Sequence, residues 1–128
     1  MIFGDSSFFV GLADRKDQWH VAAVRLSPSV DKGTVVSDLV VAEAVTIIGS
    51  RGGGHAAAKL YDYFRDSCEI EFVEKGRLGE SMKLHLMFDG RLSVADCASV
   101  AIMTELKIRR IASFDSDFDK VKGIERLS

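Results

Sequence analysis

Four carboxylate residues lie within or beside apolar stretches of this sequence, where an isolated charge is unfavourable. Asp5 follows "MIFG", Glu43 lies inside "LVVAEAVTII", Asp96 lies inside "LSVADCASVAIM" and Asp115 ends "IASFD". An ionised carboxylate taken out of water needs a cation or hydrogen-bond donors to compensate it. If these carboxylates converge, they would form a hard, oxygen-rich site that suits Mg²⁺ or Mn²⁺.

Each of the four acids also has an ordinary structural explanation. Asp96 is placed to be the acidic half of a capping box with Ser93. Asp115 could be a turn former or a helix N-cap, and Asp5 could end its strand in an Asx-turn. Glu43 is harder to explain, because it lies in the apolar stripe of a helix and needs a cationic partner or an edge position. A buried arginine could account for one such acid, but it is a strained explanation for all four.

The segments that must position these acids alternate between strand and helix patterns. Helices are predicted over 17–27, from a Ser37 cap to about residue 48, over 55–66, over "RLGESMKLHLMFDG" and over "SVADCASVAIMTELK". Strands are predicted for "MIFGD", 34–36, "CEIEFVE", "IRRIASFD" and "IERL", the last at a sheet edge. The spacing also predicts that Trp19 and Tyr61 lie on the inner faces of their helices.

This alternation predicts a single domain over 1–128, built as a three-layer α/β/α sandwich around a mostly parallel sheet. Ligands in such folds bind beyond the carboxyl ends of the strands. Asp5 and Asp115 follow strands directly, and Asp96 lies in the first turn of the preceding helix. Glu43 lies about a turn and a half into the helix after the second strand. All four carboxylates can therefore meet at one end of the sheet.

The composition limits the partners that the chain can have. It is 47% apolar and 28% charged, with a formal net charge of -2, so it lacks a basic nucleic-acid footprint. A nucleic-acid substrate stays possible through a local basic rim and a metal ion. No apolar run reaches the ~18 residues of a membrane span, no signal peptide is apparent, and the two cysteines suit a reducing compartment. We therefore expect a cytoplasmic protein.

Two further motifs are weak. The three histidines are scattered without zinc-ligand spacing. "GSRGGGH" lacks the Lys-Ser/Thr ending of a phosphate loop and follows a helix, so a helix stop and connector explains it, although it could carry Arg51 toward RNA.

Four stretches, taken in order, resemble the PIN domains, and in particular the VapC-type toxin ribonucleases of toxin–antitoxin pairs. They are "MIFGDSSFFVGL", "VVSDLVVAEAV", "GRLSVADCASVAIM" and "IASFDSDFDKV". The resemblance covers nearly the whole chain, and its weight lies in the order and spacing of the motifs. Ser6 and Ser113 match hydroxyl residues beside the first and last acids, whereas many relatives carry Asn at the position of Ser7.

The resemblance implies that Asp5, Glu43, Asp96 and Asp115 form a catalytic metal site for Mg²⁺ or Mn²⁺, with Asp117 as a possible fifth member. It further implies RNA as substrate, a cognate antitoxin as protein partner, and a homodimer. Two alternatives remain open at this point. One is a PIN-like module that binds RNA or protein without cleaving it, and the other is a receiver-like phosphoacceptor domain.

Overall fold

A central sheet of parallel strands organises the protein. A computed structural model describes residues 1–30 and 33–128. Its five strands follow the order β3-β2-β1-β4-β5, and every neighbouring pair is parallel. They are β1 (Ile2–Gly4), β2 (Thr34–Ser37), β3 (Cys68–Glu71), β4 (Arg110–Ala112) and β5 (Glu125–Leu127). The predicted α/β architecture with a mostly parallel sheet is confirmed, as is the edge position of the last strand.

Helices cover both faces of this sheet. They are α1 (Ser6–Ala13), α2 (His20–Val30), α3 (Asp38–Gly52), α4 (Gly54–Ser67), α5 (Lys75–Met87), α6 (Val94–Leu106) and a 3₁₀ helix (Ser116–Lys120). Helix α1 packs against α2 and α3, and α3 packs against α4, whereas α5 packs on α6. Right-handed crossovers between parallel strands place these two groups on opposite faces. Within the described residues, no helix is long and apolar enough to cross a membrane.

The strand order locates the expected ligand crevice and excludes the receiver-like phosphoacceptor alternative. Receiver domains have the doubly wound order 2-1-3-4-5, which differs from the order found here. The direction of winding reverses between β1 and β4, so the crevice expected to bind ligands opens at the carboxyl ends of these two strands. Asp5 follows β1 directly, and Ser113 to Asp115 follow β4.

An aromatic core holds β1 and α1 in place. Phe8 and Phe9 are completely buried, and Phe9 packs edge-on against Phe8 and Phe64 at centroid distances of 5.1 and 4.7 Å. Gly4 gives Phe9 its space, because a Cβ at position 4 would lie 2.4 Å from Cε2 of that ring. Packing therefore fixes the backbone at Gly4, and this also positions Asp5, the next residue in the chain.

The second helix begins and ends later than its pattern predicted. It starts at His20 rather than 17, because the Asp17 side chain accepts a hydrogen bond from the Trp19 N–H and holds the chain in a turn. It then continues through Pro28 to Val30. Proline lacks an N–H for the carbonyl four residues earlier, and the Ser27 hydroxyl donates to that Val24 carbonyl instead at 3.0 Å.

Two aromatic residues predicted to face inward do not. Trp19 is 41% exposed and lies just before α2, and Tyr61 is 47% exposed on α4. On α4 the apolar contacts with the core come from Leu60, Phe64 and the partly buried Tyr63. Tyr61 was predicted to face inward because it is adjacent to the buried Leu60, and helical spacing alone does not separate two neighbouring apolar positions clearly.

Candidate metal centre

One cavity at the carboxyl ends of β1 and β4 brings together all five acids singled out from the sequence. It has a volume of about 510 Å³. Its acidic lining includes Asp5, Glu43, Asp96, Asp115 and Asp117. The cavity lies where the sheet order places a ligand crevice, so the convergence predicted from the strand ends is found.

Asp5 is the most deeply placed of these acids. It is 4% exposed and occupies the N-cap position of α1, yet its side chain makes no capping bond. Instead its Oδ2 accepts hydrogen bonds from the hydroxyls of Ser113 and Ser7, each at 2.7 Å. Burial raises the pKa of Asp5, and these two hydroxyl bonds oppose that rise. The carboxylate is therefore held in one orientation by neutral donors.

The same hydroxyls tie the two strand ends together. The Phe114 N–H donates to the Ser7 oxygen at 2.9 Å, and the Asp115 N–H donates to the Ser113 oxygen at 3.0 Å. The Asp5 N–H donates to the Ala112 carbonyl at 3.0 Å. Ser7 thus links Asp5 to the loop after β4.

Asp96 lies in the first turn of α6, where the Ser93 hydroxyl accepts a hydrogen bond from its N–H at 3.1 Å. The helix cap predicted from the sequence is present. Burial and the nearby charges of Asp5 and Asp115 raise the pKa of Asp96 to about 7. Asp96 is therefore both a cap residue and a carboxylate crowded by like charges.

The loop after β4 carries the last two acids. Asp115 is the N-cap of the 3₁₀ helix, since its Oδ1 accepts a hydrogen bond from the Asp117 N–H at 2.9 Å. Phe118 is completely buried and anchors this short helix to the core. Asp117 also lines the cavity, but its carboxylate pairs with Lys120 at 2.9 Å.

Glu43 differs from its sequence-based picture. It is exposed rather than buried in an apolar stripe, and it occupies an edge position facing the cavity. Ile47 and Arg51 line the cavity from the same face of α3, at successive four-residue steps. The Ser6 hydroxyl donates a hydrogen bond to Glu43 Oε1 and orients it.

Positive charge does not compensate most of this cluster. Among the described residues, Asp117 is the one acid of the five that forms an ion pair. The cavity's arginine, Arg51, is bound to Asp14 at 3.0 Å and to Asp17 at 2.9 Å. Asp5, Glu43, Asp96 and Asp115 therefore have no ion-pair partner among the described residues.

The donor set fits a hard divalent cation. Carboxylate and hydroxyl oxygens are the ligands that Mg²⁺ and Mn²⁺ prefer, and a cation would offset the repulsion that raises the pKa of Asp96. Within residues 1–30 and 33–128, no three acidic, histidine or cysteine side chains already surround a common ion position. The fit thus comes from the donor chemistry and the uncompensated charge. Side-chain movements would therefore be needed to complete a coordination shell.

Trp19 is the cavity residue that the sequence analysis misplaced. Its indole stacks on Phe114 with a centroid distance of 5.2 Å and an interplanar angle of 8°, and it lines the cavity. A tryptophan just before a helix gives no sequence signal for a stack on a residue 95 positions later, so the structure was required to find it.

A parallel sheet of this order, with an acidic cavity at its switch point, defines the class of PIN-like α/β domains. The comparisons with known proteins agree. Residues 2–124 match the PIN domain family. The chain is 30% identical over 128 residues to the 23S rRNA-specific endonuclease VapC20 of Mycobacterium tuberculosis, covering 98% of this chain and 97% of that protein.

Two solved structures are also similar. The crystal structure of Mycobacterium tuberculosis VapC20, described as a sarcin–ricin loop cleaving toxin, superposes with a TM-score of 0.86 at 28% identity and covers 94% of each chain. VapBC2 from Rickettsia felis, bound to a DNA fragment from its promoter, gives a TM-score of 0.70 at 12% identity over 99% of this chain and 98% of that chain, which shows the shared fold. The chain therefore belongs to the PIN-domain family and is a homologue of its VapC-type toxin endoribonucleases.

Proposed function

We propose that this protein is a Mg²⁺- or Mn²⁺-dependent endoribonuclease whose metal is held by the acidic cavity. The observation that carries this proposal is the convergence in one cavity of the five acids singled out from the sequence, four of which have no ion-pair partner among the described residues. Such crowding is unfavourable unless a cation joins it. Homology to VapC-type endonucleases independently favours RNA hydrolysis.

We assign the direct or water-mediated metal contacts to Asp5, Asp96 and Asp115. A bound divalent ion would lower the pKa of its water and neutralise phosphate charge in phosphodiester hydrolysis. The chain's own contribution is to hold the ligands in place. Ser7 and Ser113 fix the carboxylate of Asp5 through its Oδ2, so this ligand loses little further freedom when an ion arrives.

Glu43 and Asp117 have less central roles in this proposal. Glu43 is exposed and oriented by the Ser6 hydroxyl, so it can serve as a further ligand or accept a proton from the attacking water. Asp117 is partly compensated by Lys120. We expect Asp117→Asn to lower kcat by less than about tenfold and Asp115→Asn to lower it by more.

The substrate and partners follow from the homology. VapC20 is named for its action on 23S rRNA, and the Rickettsia felis structure is a VapBC pair. We propose by analogy that this chain cleaves a structured RNA, that a cognate antitoxin inhibits it, and that it acts in the cytoplasm as a homodimer of single-domain chains over 1–128. Size-exclusion chromatography with light scattering tests the dimer.

A cleavage assay tests the enzymatic proposal. Labelled ribosomal RNA fragments and single-stranded DNA are incubated with wild type, Asp96→Asn and Asp62→Asn, in Mg²⁺, Mn²⁺ or EDTA. Asp62 is an exposed carboxylate on α4 outside the cavity, so Asp62→Asn is the matched control. We expect wild type and Asp62→Asn to cleave RNA, EDTA to abolish cleavage, and Asp96→Asn to be inactive.

The opposite result would favour a different function. If folded wild type cleaves neither polymer with either metal but still binds RNA, the chain is a non-catalytic PIN-like binding module. Cleavage that persists in EDTA would contradict the metal proposal itself.

A further inference from the structure

We propose that Trp19 is a nucleobase-stacking platform at the edge of the metal centre and that it positions an unpaired stretch of the structured RNA for cleavage. The inference rests on the proposed ribonuclease function and adds a subsite to it. The ligand is one unpaired base of the RNA, stacked on the indole face that Phe114 leaves uncovered.

The geometry of Trp19 suits a base. Its ring lies nearly parallel to that of Phe114, with 8° between the planes and 5.2 Å between the centroids, so Phe114 covers part of one face. The residue is nevertheless 41% exposed and lines the acidic cavity. The proposal places the base on the opposite face of the indole, within the cavity that the carboxylates also line. A planar base can extend such a stack, because every base has a π-face.

The platform is rigidly mounted. The backbone N–H of Trp19 donates a hydrogen bond to the Asp17 carboxylate at 3.0 Å, and the backbone carbonyl of Trp19 accepts one from the Ala23 N–H at 2.8 Å. Arg51 on α3 stabilises the turn that precedes Trp19 by forming ion pairs with both Asp14 and Asp17. An aromatic residue on a fixed backbone needs little ordering when a base stacks on it, which favours affinity.

The stack is coupled directly to the proposed metal ligands. Phe114 lies between Ser113, whose hydroxyl binds Asp5, and Asp115. The Phe114 N–H is itself bound by Ser7. A base stacked on Trp19 would therefore lie at a fixed position relative to the loop that carries Asp115. Stacking can in this way position the scissile phosphate relative to the metal.

The charge of the protein explains why stacking is useful here. Its formal net charge is -2, and its cavity arginine is already bound to two aspartates. A polyanionic substrate therefore gains little from a basic surface. Base stacking on an aromatic ring supplies affinity that does not depend on protein charge.

Intrinsic fluorescence tests the inference directly, because Trp19 is the single tryptophan of the chain. Asp96→Asn protein in Mg²⁺ is titrated with a short single-stranded RNA and with matched oligomers that have one abasic position each. We expect quenching by the complete RNA and loss of that quenching at one abasic position. Equal quenching by all oligomers, or none while fluorescence anisotropy shows the labelled RNA bound, would overturn the proposal.

Kinetics provide the second test and separate it from the proposed function. We expect Trp19→Ala to raise KM for RNA roughly five- to 100-fold with a smaller change in kcat, and Trp19→Phe to restore most of the loss. Tyr61→Ala, an equally exposed aromatic outside the cavity, is the control and should leave KM unchanged.

Several outcomes distinguish the two proposals. Wild-type cleavage combined with an unchanged KM for folded Trp19→Ala would refute the platform and leave the ribonuclease intact. Absence of wild-type cleavage together with base-dependent quenching would refute the ribonuclease and retain the stacking site. Absence of both cleavage and base-dependent quenching would reject both proposals.

Discussion

Replacing Asp96 with asparagine should stabilise the metal-free protein at neutral pH, even though it should abolish activity. Folding raises the pKa of Asp96 from its ordinary value of 3.8 to about 7, because the carboxyl is partly buried among like charges. The folded protein therefore binds this proton more tightly than the unfolded chain. The stability linked to it is fully present below pH 3.8 and is lost as the pH rises toward 7.

The size of the effect follows from that shift. About 1.4 kcal/mol per pKa unit would give about 4 kcal/mol, but solvent reaches part of this cavity and screens the interaction. We therefore expect about 1–2 kcal/mol, which corresponds to an increase in Tm of roughly 4–8 °C for a domain of this size. The asparagine keeps the shape of the side chain and removes the charge.

Thermal unfolding in EDTA, monitored by circular dichroism, measures this difference. The gain in Tm for Asp96→Asn over wild type should be largest near pH 8 and should shrink toward zero near pH 4. Asp62→Asn, whose carboxyl is exposed and paired with Arg65, should show no such gain. A Tm for Asp96→Asn at or below that of wild type at pH 8 would refute the electrostatic reasoning, because it would mean that the Asp96 charge is not destabilising.

Three further outcomes follow from the same structure. Ser113→Ala should raise the pKa of Asp5 further and lower kcat/KM about tenfold or more, as measured by RNA cleavage across pH, because Asp5 loses a hydroxyl donor; an unchanged profile would contradict that role. Gly4→Ala should destabilise the fold by about 1–3 kcal/mol in urea unfolding through its clash with Phe9, whereas Gly79→Ala, in open space on α5, should stabilise it by about 0.5–1 kcal/mol. Mn²⁺ should raise the Tm of wild type more at pH 8 than at pH 5, since protons compete with the metal for the acids, and equal shifts at both values would argue against carboxylate ligation.

Much of the site could be predicted from sequence because residues that follow parallel strands lie together at one edge of the sheet. Asp5 and Asp115 follow short apolar strands, and the carboxyl ends of adjacent parallel strands meet at one edge of the sheet. Asp96 was recoverable from the Ser93 cap that begins its helix. These relations depend on local pattern and on chain order, both of which are visible in one sequence.

The remaining features depend on contacts between distant segments. The exposure of Glu43 follows from the position of α3 at the side of the cavity, which an apolar stripe in one helix does not reveal. The stack of Trp19 on Phe114 and the clamp from Arg51 to Asp14 join residues that are far apart in sequence. Hydrophobic spacing does not report any of these interactions.

The way in which the site is supported links its stability to its chemistry. Asp5 is oriented by serine hydroxyls rather than by lysine or arginine, so its carboxyl is fixed in place without a cationic side chain beside it. An arginine in that position would stabilise the protein alone and would also occupy the place of a cation. Hydroxyl donors keep the ligand ordered while leaving the charge of Asp5 and Asp96 available for a divalent ion. Carboxylate repulsion destabilises the metal-free protein, and a bound divalent ion relieves that repulsion, so the repulsion should increase the metal affinity. For this reason we expect Asp96→Asn to raise the Tm in EDTA and to reduce the stabilisation by Mn²⁺.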